Sequence, residues 1–184
     1  MQYFSGTPCR YQHKNKRVTP KIPPRGEGVP GKEAIMDAER IRAFLLTLPH
    51  VVDTMQWGAN LVFWVGDKAI GGKMFALVNL DGDDGPERTK PSPVISYAAG
   101  PERYSELLEI EGIIPAPYMA RIYWVAVERW SVFRTLEWEQ ELTSAHTLTF
   151  NKLPPRTRAV LAMPPNQQKR LIADRRKLLA AKKA

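Results

Sequence analysis

Seven lysines and arginines near the C-terminal end of the sequence could bind phosphate groups. A single acid, Asp174, lies among them. Because positive side chains release the counterions condensed on a nucleic-acid backbone, a cluster of this kind is typical of phosphate contacts. We call it the C-terminal basic cluster, and its members are Arg156, Arg158, Lys169, Arg170, Arg175, Arg176 and Lys177. An anionic membrane surface, an acidic protein or the chain's own acidic part would attract the same charges, and a solvated chain end is a further alternative.

Residue types that commonly catalyse reactions or hold metals occur without a recognisable pattern. His13, His50 and His146 are scattered and Cys9 is the single cysteine, so the sequence lacks the ligand spacing of a zinc site. It also lacks a nucleophile elbow and a phosphate-binding glycine loop. We therefore predict no catalytic residue, no metal and no cofactor, and we expect a protein that is not an enzyme.

Three acids, Asp81, Asp83 and Asp84, resemble the start of a calcium-binding loop. The EF-hand pattern then requires an acid, a glycine and a glutamate at later positions. The sequence has other residues there, namely Gly85, Pro86 and Ser92. This segment is therefore predicted to be a solvated polar loop and not a calcium site.

The charges divide the sequence into three blocks. Residues 1–35 carry seven Lys and Arg against two acids, and residues 154–184 carry nine against one. Residues 36–153 carry eleven against sixteen, so an acidic body of about −5 separates ends of about +5 and about +8. A polyanion would therefore meet the ends and not the net field of the body.

The composition favours one domain with extensions, in a reducing compartment. The central block has the size of a typical single domain and holds all five tryptophans. Cys9 has no partner for an internal disulfide, which favours the cytoplasm. The first residues lack the apolar segment of a secretory signal, and no uncharged apolar run is long enough to span a membrane. The oligomeric state stays open.

We divide the chain at residues 35 and 154. Residues 1–35 are rich in Pro, Gly and positive charge and are predicted to be a disordered basic extension. The alternative is that translation starts at Met36, because the codons of residues 32–34 can form a purine-rich ribosome-binding sequence. Residues 36–154 form the predicted domain, and residues 155–184 form a flexible basic tail with a short amphipathic helix.

Apolar periodicity and turn signals in the body predict strands that cluster together and do not alternate with helices. A first helix over residues 37–48 has Asp37 as its cap, and a last helix has Thr135 as its cap and ends at a Pro-Pro pair. A middle helix begins at Pro101 and ends before Gly112. Strands are predicted around residues 55–57, 61–65, 74–80, 94–97 and 122–127. This order favours an α+β fold, with an antiparallel sheet of about five strands covered on one side by helices.

The five tryptophans could fill the core or stack on nucleic-acid bases. Trp124 and Trp138 lie in strand and helix patterns and are predicted to be core residues. Trp64 and Trp130 lie near strand ends, so both alternatives stay open for them.

Three motifs of the body resemble those of the MmcQ/YjbR family, and the resemblance covers residues 36–154. They are Trp-Val-Gly-Asp-Lys at residues 64–68 with Gly-Gly-Lys-Met-Phe-Ala at 71–76, Pro-Ala-Pro-Tyr-Met-Ala-Arg at 115–121 with Tyr-Trp-Val at 123–125, and Ser-Ala-His at 144–146 with Lys-Leu-Pro at 152–154. The last motif departs from the family, in which a tyrosine usually follows the serine, because this sequence has Ala145 there.

The resemblance implies an α+β fold like the frataxin-type or secretion-chaperone-type sandwich, and the family's label is a DNA-binding protein with a double wing. It brings no agreed catalytic residues. Three residues within the motifs, Lys73, Tyr118 and Arg121, could contact phosphate. The structural alternative is that Lys73 flanks a hairpin and that Arg121 pairs with an acid.

The leading hypothesis is a non-enzymatic protein that binds DNA with low specificity, mainly through the C-terminal basic cluster. The alternative is a protein–protein adaptor or chaperone-like module that uses an apolar face of the body or a groove near Tyr118 and Trp130. A small-molecule pocket between sheet and helices is a third hypothesis. A local cluster of Lys73, Arg103 and Arg121 would favour nucleic acid, whereas a contiguous exposed apolar patch would favour the adaptor.

Overall fold

The computed structural model describes residues 36–82 and 92–182. The predictions for residues 1–35, for the start of translation, and for Asp83 and Asp84 therefore lie outside the described residues. The elements are α1 Ala38–Leu45, β1 Val51–Gln56, β2 Asn60–Val65, β3 Lys73–Asn79, β4 Ile95–Ala98, α2 Gly100–Leu107, β5 Ile113–Pro115, β6 Trp124–Val127, α3 Thr135–Asn151, α4 Pro155–Leu161 and α5 Pro165–Ala181.

The strands form one sheet in the order β1-β2-β3-β4-β6-β5. Every pair of neighbouring strands is antiparallel. The predicted α+β fold with an antiparallel sheet is confirmed, and the sheet has six strands where about five were expected. The additional strand, β5, is three residues long and lies in a segment whose prolines predict a loop.

The main core lies between one face of the sheet and the helices. In β2, Leu61, Phe63 and Val65 point into this core, because alternate residues of a strand face the same side. The long helix α3 contributes Trp138 and Leu142, which are completely buried. The helices therefore cover this face of the sheet, as the sequence predicts.

The ends of the first and last helices of the body are set by acidic side chains. The backbone N–H of Arg40 donates to Asp37 Oδ1 at 2.8 Å, so the predicted cap of α1 is confirmed. Thr135 is the first residue of α3 and not its cap, which is Arg134. Glu137 accepts the backbone N–H of Arg134 at 2.8 Å and places a negative charge at the positive end of α3.

Three predicted boundaries move. Strand β1 begins at Val51, before the predicted segment, and α2 ends at Leu107, well before Gly112. Residues 120–122 form a 3₁₀ turn and Tyr123 has a φ of 60°, so β6 begins only at Trp124. A left-handed residue ends the turn and prevents the strand from starting earlier.

The C-terminal segment is folded onto the body as far as the structure describes it. It consists of α4 and α5, each of which begins directly after a proline. Thr157 and Leu161 of α4 are buried. The structure thus shows the alternative in which this segment packs against the chain's own body. This corrects the expectation of a flexible tail for residues 155–182. None of the helices in the described part of the chain is long and apolar enough to cross a bilayer.

Candidate nucleic-acid interface

The turn between β2 and β3 is the platform on which the C-terminal helices rest. We call residues 66–72 the glycine connection. Gly71 has a φ of 88°, and a Cβ atom on Gly72 would lie 1.9 Å from the carbonyl oxygen of Gly66, so glycine is required at both positions. Residues 68–70, which lie between Gly66 and Gly71, form a 3₁₀ turn. In this turn the N–H group of Ala69 donates to Asp67 Oδ1 at 2.7 Å. The connection is therefore a tight and internally bonded turn.

Helix α4 is fixed to the glycine connection by a buried hydrogen bond. Thr157 Oγ1 donates to the carbonyl oxygen of Ile70 at 2.8 Å, and the threonine is fully buried. Leu161 packs on the backbone of Gly66, where a Cβ would lie 3.5 Å from its methyl groups. A buried carbonyl group without a donor is costly, so this hydrogen bond both positions and stabilises α4.

Helix α5 is fixed to the same connection by an ion pair. The guanidinium group of Arg176 binds Asp67 Oδ2, and the Asp67 side chain is almost completely buried. Gln168 Nε2 donates to the carbonyl oxygens of Leu161 at 2.8 Å and Met163 at 2.6 Å, which ties α5 to the end of α4. The two C-terminal helices are thus held to each other and to the body.

All seven residues of the C-terminal basic cluster are exposed. Arg176 is the member with an ionic partner, Asp67. Within residues 36–82 and 92–182, no ion pair involves the other six, which are Arg156, Arg158, Lys169, Arg170, Arg175 and Lys177. These six positive charges can therefore meet an external anion.

A cleft of about 400 Å³ lies between α5 and the side of the sheet formed by β1 and β2. Trp64 lines it, with the Lys68 ammonium group 5.1 Å from the centre of its ring. The indole N–H of Trp64 donates to Thr54 Oγ1 at 2.9 Å, and Asp67 at the rim is held by Arg176. The polar groups of this cleft are thus mostly satisfied within the protein, so it offers little support for the small-molecule hypothesis.

The three candidate residues of the body lie toward the same end of the strands. Lys73 begins β3, and the pairing of Ala98 with Trp124 brings the start of β6, which follows Tyr118 and Arg121, to that end. Lys73 Nζ donates to the carbonyl oxygen of Lys152 at 2.8 Å, at the C-terminal end of α3, which gives it a structural role. Arg121 is exposed and has no ion pair within the described residues, and Tyr118 is fully exposed.

The arginine expected to complete that cluster is bound elsewhere. Arg103 donates to Glu106 and to Glu141, and the hydrogen bond to Glu141 raises the pKa of its guanidinium group. Tyr97 lies against Glu141, and burial raises the pKa of its hydroxyl group far above the ordinary value. Arg103 is therefore part of a structural network, and the structure does not support a free cluster of Lys73, Arg103 and Arg121.

The groove expected near Trp130 is filled. Trp130 is buried and packs on Trp138. The Nε1 atom of Trp138 donates to the carbonyl oxygen of Trp130 at 3.0 Å. Trp124 and Trp138 are buried, as expected, and Trp64 is half-buried. Exposed apolar side chains occur at several places in the described residues, Trp57 and Leu136 among them, and three of them, Tyr118, Ile122 and Tyr123, lie within residues 118–123.

His146 belongs to the core and not to a metal site. It is buried, its Nε2 bonds to the carbonyl oxygen of Pro49 at 2.9 Å, and its ring lies 5.5 Å from that of Phe75. Burial lowers the pKa of His146, and the nearby His50 lowers it further, whereas the hydrogen bond to Pro49 raises it. Among the residues that the structure describes, no group of three potential ligands is placed to hold a metal ion.

Sequence reasoning missed two residues that position the interface, Asp67 and Thr157. Asp67 stands inside a motif and follows a glycine, so an N-cap role at a turn could have been inferred from the sequence. Thr157 gives no such signal, because its partner Ile70 is 87 residues away.

Comparison with known proteins supports the fold. The model of the YjbR family matches residues 46–148. The crystal structure of the Deinococcus radiodurans protein DR2400, which has a DUF419 domain, superposes with a TM-score of 0.57 at 23% identity, covering 71% of this chain and 91% of that one. No curated protein matches the chain. Helices α4 and α5 lie beyond the residues that the family model matches.

Proposed function

The chain belongs to the YjbR family, and on that premise we propose that it is a non-enzymatic protein that binds DNA with low sequence preference through α4 and α5. The observation that carries this proposal is the set of six exposed positive charges that are held on docked helices without an acidic partner among the described residues. We place the protein in the cytoplasm, because its single cysteine suits a reducing compartment.

The arrangement favours contacts to phosphate and not to bases. The cations lie on several sides of two helices, so they match the spread charge of a backbone more readily than the edges of particular bases. Because the body is acidic, the electrostatic attraction would come from α4 and α5. Such binding depends strongly on salt, since each neutralised phosphate releases counterions.

The body adds a second contact region to this proposal. Arg121 and Tyr118 lie in the connection between β5 and β6 and are exposed toward a phosphate or a base, whereas Lys73 is engaged with Lys152. We therefore assign Lys73 a weaker contribution than the two others.

One observation favours a second candidate function, a protein–protein adaptor. Tyr118, Ile122 and Tyr123 are exposed within six residues, and aromatic side chains beside an arginine are typical of interface hot spots. A partner protein would then dock on residues 118–123, and α4 and α5 would contribute little to its binding.

Titration of the full chain with labelled duplex DNA in a series of salt concentrations tests the proposal. The variant R158Q/R170Q/K177Q removes three free cations of α4 and α5, and R40Q/R129Q/R134Q removes three exposed cations of the body. We expect the first variant to flatten the salt dependence, by about 0.9 in the logarithmic slope for each phosphate that the protein no longer neutralises. The control should keep the slope of the unmodified protein.

The outcomes separate the two functions. Equal slopes for the first variant and the unmodified protein would show that α4 and α5 do not bind the phosphates. Equally flattened slopes in both variants would show that net charge alone acts. Failure of the unmodified protein to bind near physiological salt would leave the adaptor as the better candidate.

A further inference from the structure

A small cleft of about 220 Å³ lies between α4, α5 and the glycine connection. Arg156 and Arg175 line it from the two helices, and Ala69 and Gly71 line it from the connection. Val160 and Leu171, both half-buried, complete its walls. Two arginines therefore line one concave site with partly apolar walls.

The fold fixes the backbone beside each of these arginines. Arg156 precedes Thr157, which donates its buried hydrogen bond to Ile70. Arg175 precedes Arg176, which is paired with Asp67. The two anchoring bonds end on the same seven-residue connection, so the positions from which both guanidinium groups extend are set by one rigid turn.

The cleft contains positive charge without an acid of its own. No carboxylate lies among the described residues that line it. Asp67 is engaged with Arg176 and Ala69, and it faces the clefts on the other side of α5. An anion bound in the cleft would be attracted by the positive charges of both arginines.

We infer that Arg156 and Arg175 together bind a single phosphate group in this cleft. Guanidinium groups present several N–H donors in a planar fork that matches the oxygens of phosphate, which a diffuse arrangement of lysines does not. The inference rests on the proposed function in one respect, namely that a DNA phosphodiester is the expected source of the group. Free phosphate has the same chemistry and is the other source.

The test compares two double variants of the full chain. R156Q/R175Q empties the cleft of charge, and R158Q/R170Q removes the same charge from the same helices outside it. Each is titrated with inorganic phosphate by NMR of the arginine side-chain N–H groups, and with labelled duplex DNA by fluorescence anisotropy. We expect R156Q/R175Q to abolish the phosphate-dependent shifts and to weaken DNA binding at least tenfold more than R158Q/R170Q does. R158Q/R170Q also weakens DNA binding, as the proposed function requires, but keeps those shifts.

The outcomes distinguish this inference from the proposed function. Equal weakening of DNA binding in both variants would overturn the specific cleft and leave the proposed function in place. Phosphate binding that depends on Arg156 and Arg175, in a protein that does not bind DNA, would support the cleft and assign it to free phosphate. The inference would be overturned if phosphate caused no arginine shifts in the unmodified protein and if R156Q/R175Q weakened DNA binding no more than R158Q/R170Q. Thermal melting of all variants verifies folding, and R175Q alone provides a milder change.

Discussion

Arg176 in the last helix pairs with Asp67 in the turn between β2 and β3, across 109 residues of sequence. The same carboxylate accepts the backbone N–H of Ala69 at 2.7 Å, so one buried acid both caps the 3₁₀ turn and holds α5. Beside it, Thr157 bonds to Ile70 and holds α4. These polar bonds to a single turn of the body add to the packing of Leu161, Leu171 and Ile172 on the core in positioning the surface that carries the positive charges.

Replacing Asp67 should speed hydrogen exchange in α5 while lowering the free energy of unfolding of the whole protein only modestly. Asp67→Asn keeps a side-chain oxygen for Ala69 but loses the ion pair, and because Arg176 is mostly exposed, we expect a cost of about 0.5 kcal/mol. Asp67→Ala loses the cap as well and should cost about 2 kcal/mol. Urea unfolding measures both values, and hydrogen exchange of the α5 amides should be faster in both variants.

Asp53→Asn is the matched control for this change. Asp53 pairs with Arg42 of α1 at 2.7 Å, so its replacement also removes an exposed ion pair. Exchange in α5 should be the same as in the unmodified protein. If α5 exchanges equally fast in Asp67→Asn and Asp53→Asn, the pair with Arg176 does not hold the helix.

Thr157→Val should destabilise the protein although it keeps the shape of the side chain. The change removes the donor to the Ile70 carbonyl, and we expect a decrease of about 1–2 kcal/mol in the free energy of unfolding. Thr147→Val on the exposed side of α3 should change it by less than about 0.5 kcal/mol. Denaturation of the two variants side by side checks this, and similar values would mean that the buried hydroxyl group contributes nothing.

The elements of the body were predictable because they depend on local signals. Asp37 caps α1 by a bond within one turn, and the β-branched and aromatic residues of the run from Leu61 to Val65 are typical of a strand. Strand β5 was missed because it has three residues and ends at Pro115, which resembles a loop. Local signals thus predicted the class of fold and most of its strands, but not the complete sheet.

The candidate interface was predictable only in part, because long-range bonds assemble it. The sequence identified the positive residues of α4 and α5, since charge clustering is visible along the chain. It did not show that Arg176 pairs with Asp67 or that Trp130 is buried against Trp138. Only the fold brings these residues together. The residues were therefore found, but which of them are free required the structure.

His146 should make the protein less stable in mild acid. Burial lowers its pKa below the ordinary value of 6.5, so the folded state favours the neutral ring, and the Nε2–H group donates to Pro49. Between the folded-state pKa and 6.5, the unfolded chain binds the proton more readily, and stability falls as the pH decreases through this window. Urea midpoints at pH 7.5 and 5.5 measure the decrease.

The variant His146→Gln isolates this contribution from that of the carboxylates. Glutamine does not titrate, so the decrease in midpoint between the two pH values should be smaller in the variant than in the unmodified protein. His50→Gln, at an exposed position, is the comparison for a second histidine of the same region. An unchanged decrease in His146→Gln would show that other groups cause the pH dependence.

Tyr118 should contribute to binding and not to stability. Its side chain is fully exposed, and its φ of 64° lies in the left-handed region, where a Cβ atom is unfavourable. Tyr118→Gly should therefore raise the free energy of unfolding by about 1 kcal/mol, whereas Tyr118→Ala, which keeps the Cβ, should leave it nearly unchanged. Both variants remove the ring, so both should weaken single-stranded DNA binding equally if Tyr118 stacks on a base, by about 1–3 kcal/mol. Unaltered DNA binding in both variants would show that the exposed ring does not contact DNA. A decrease in the stability of Tyr118→Gly would contradict the strain at this residue.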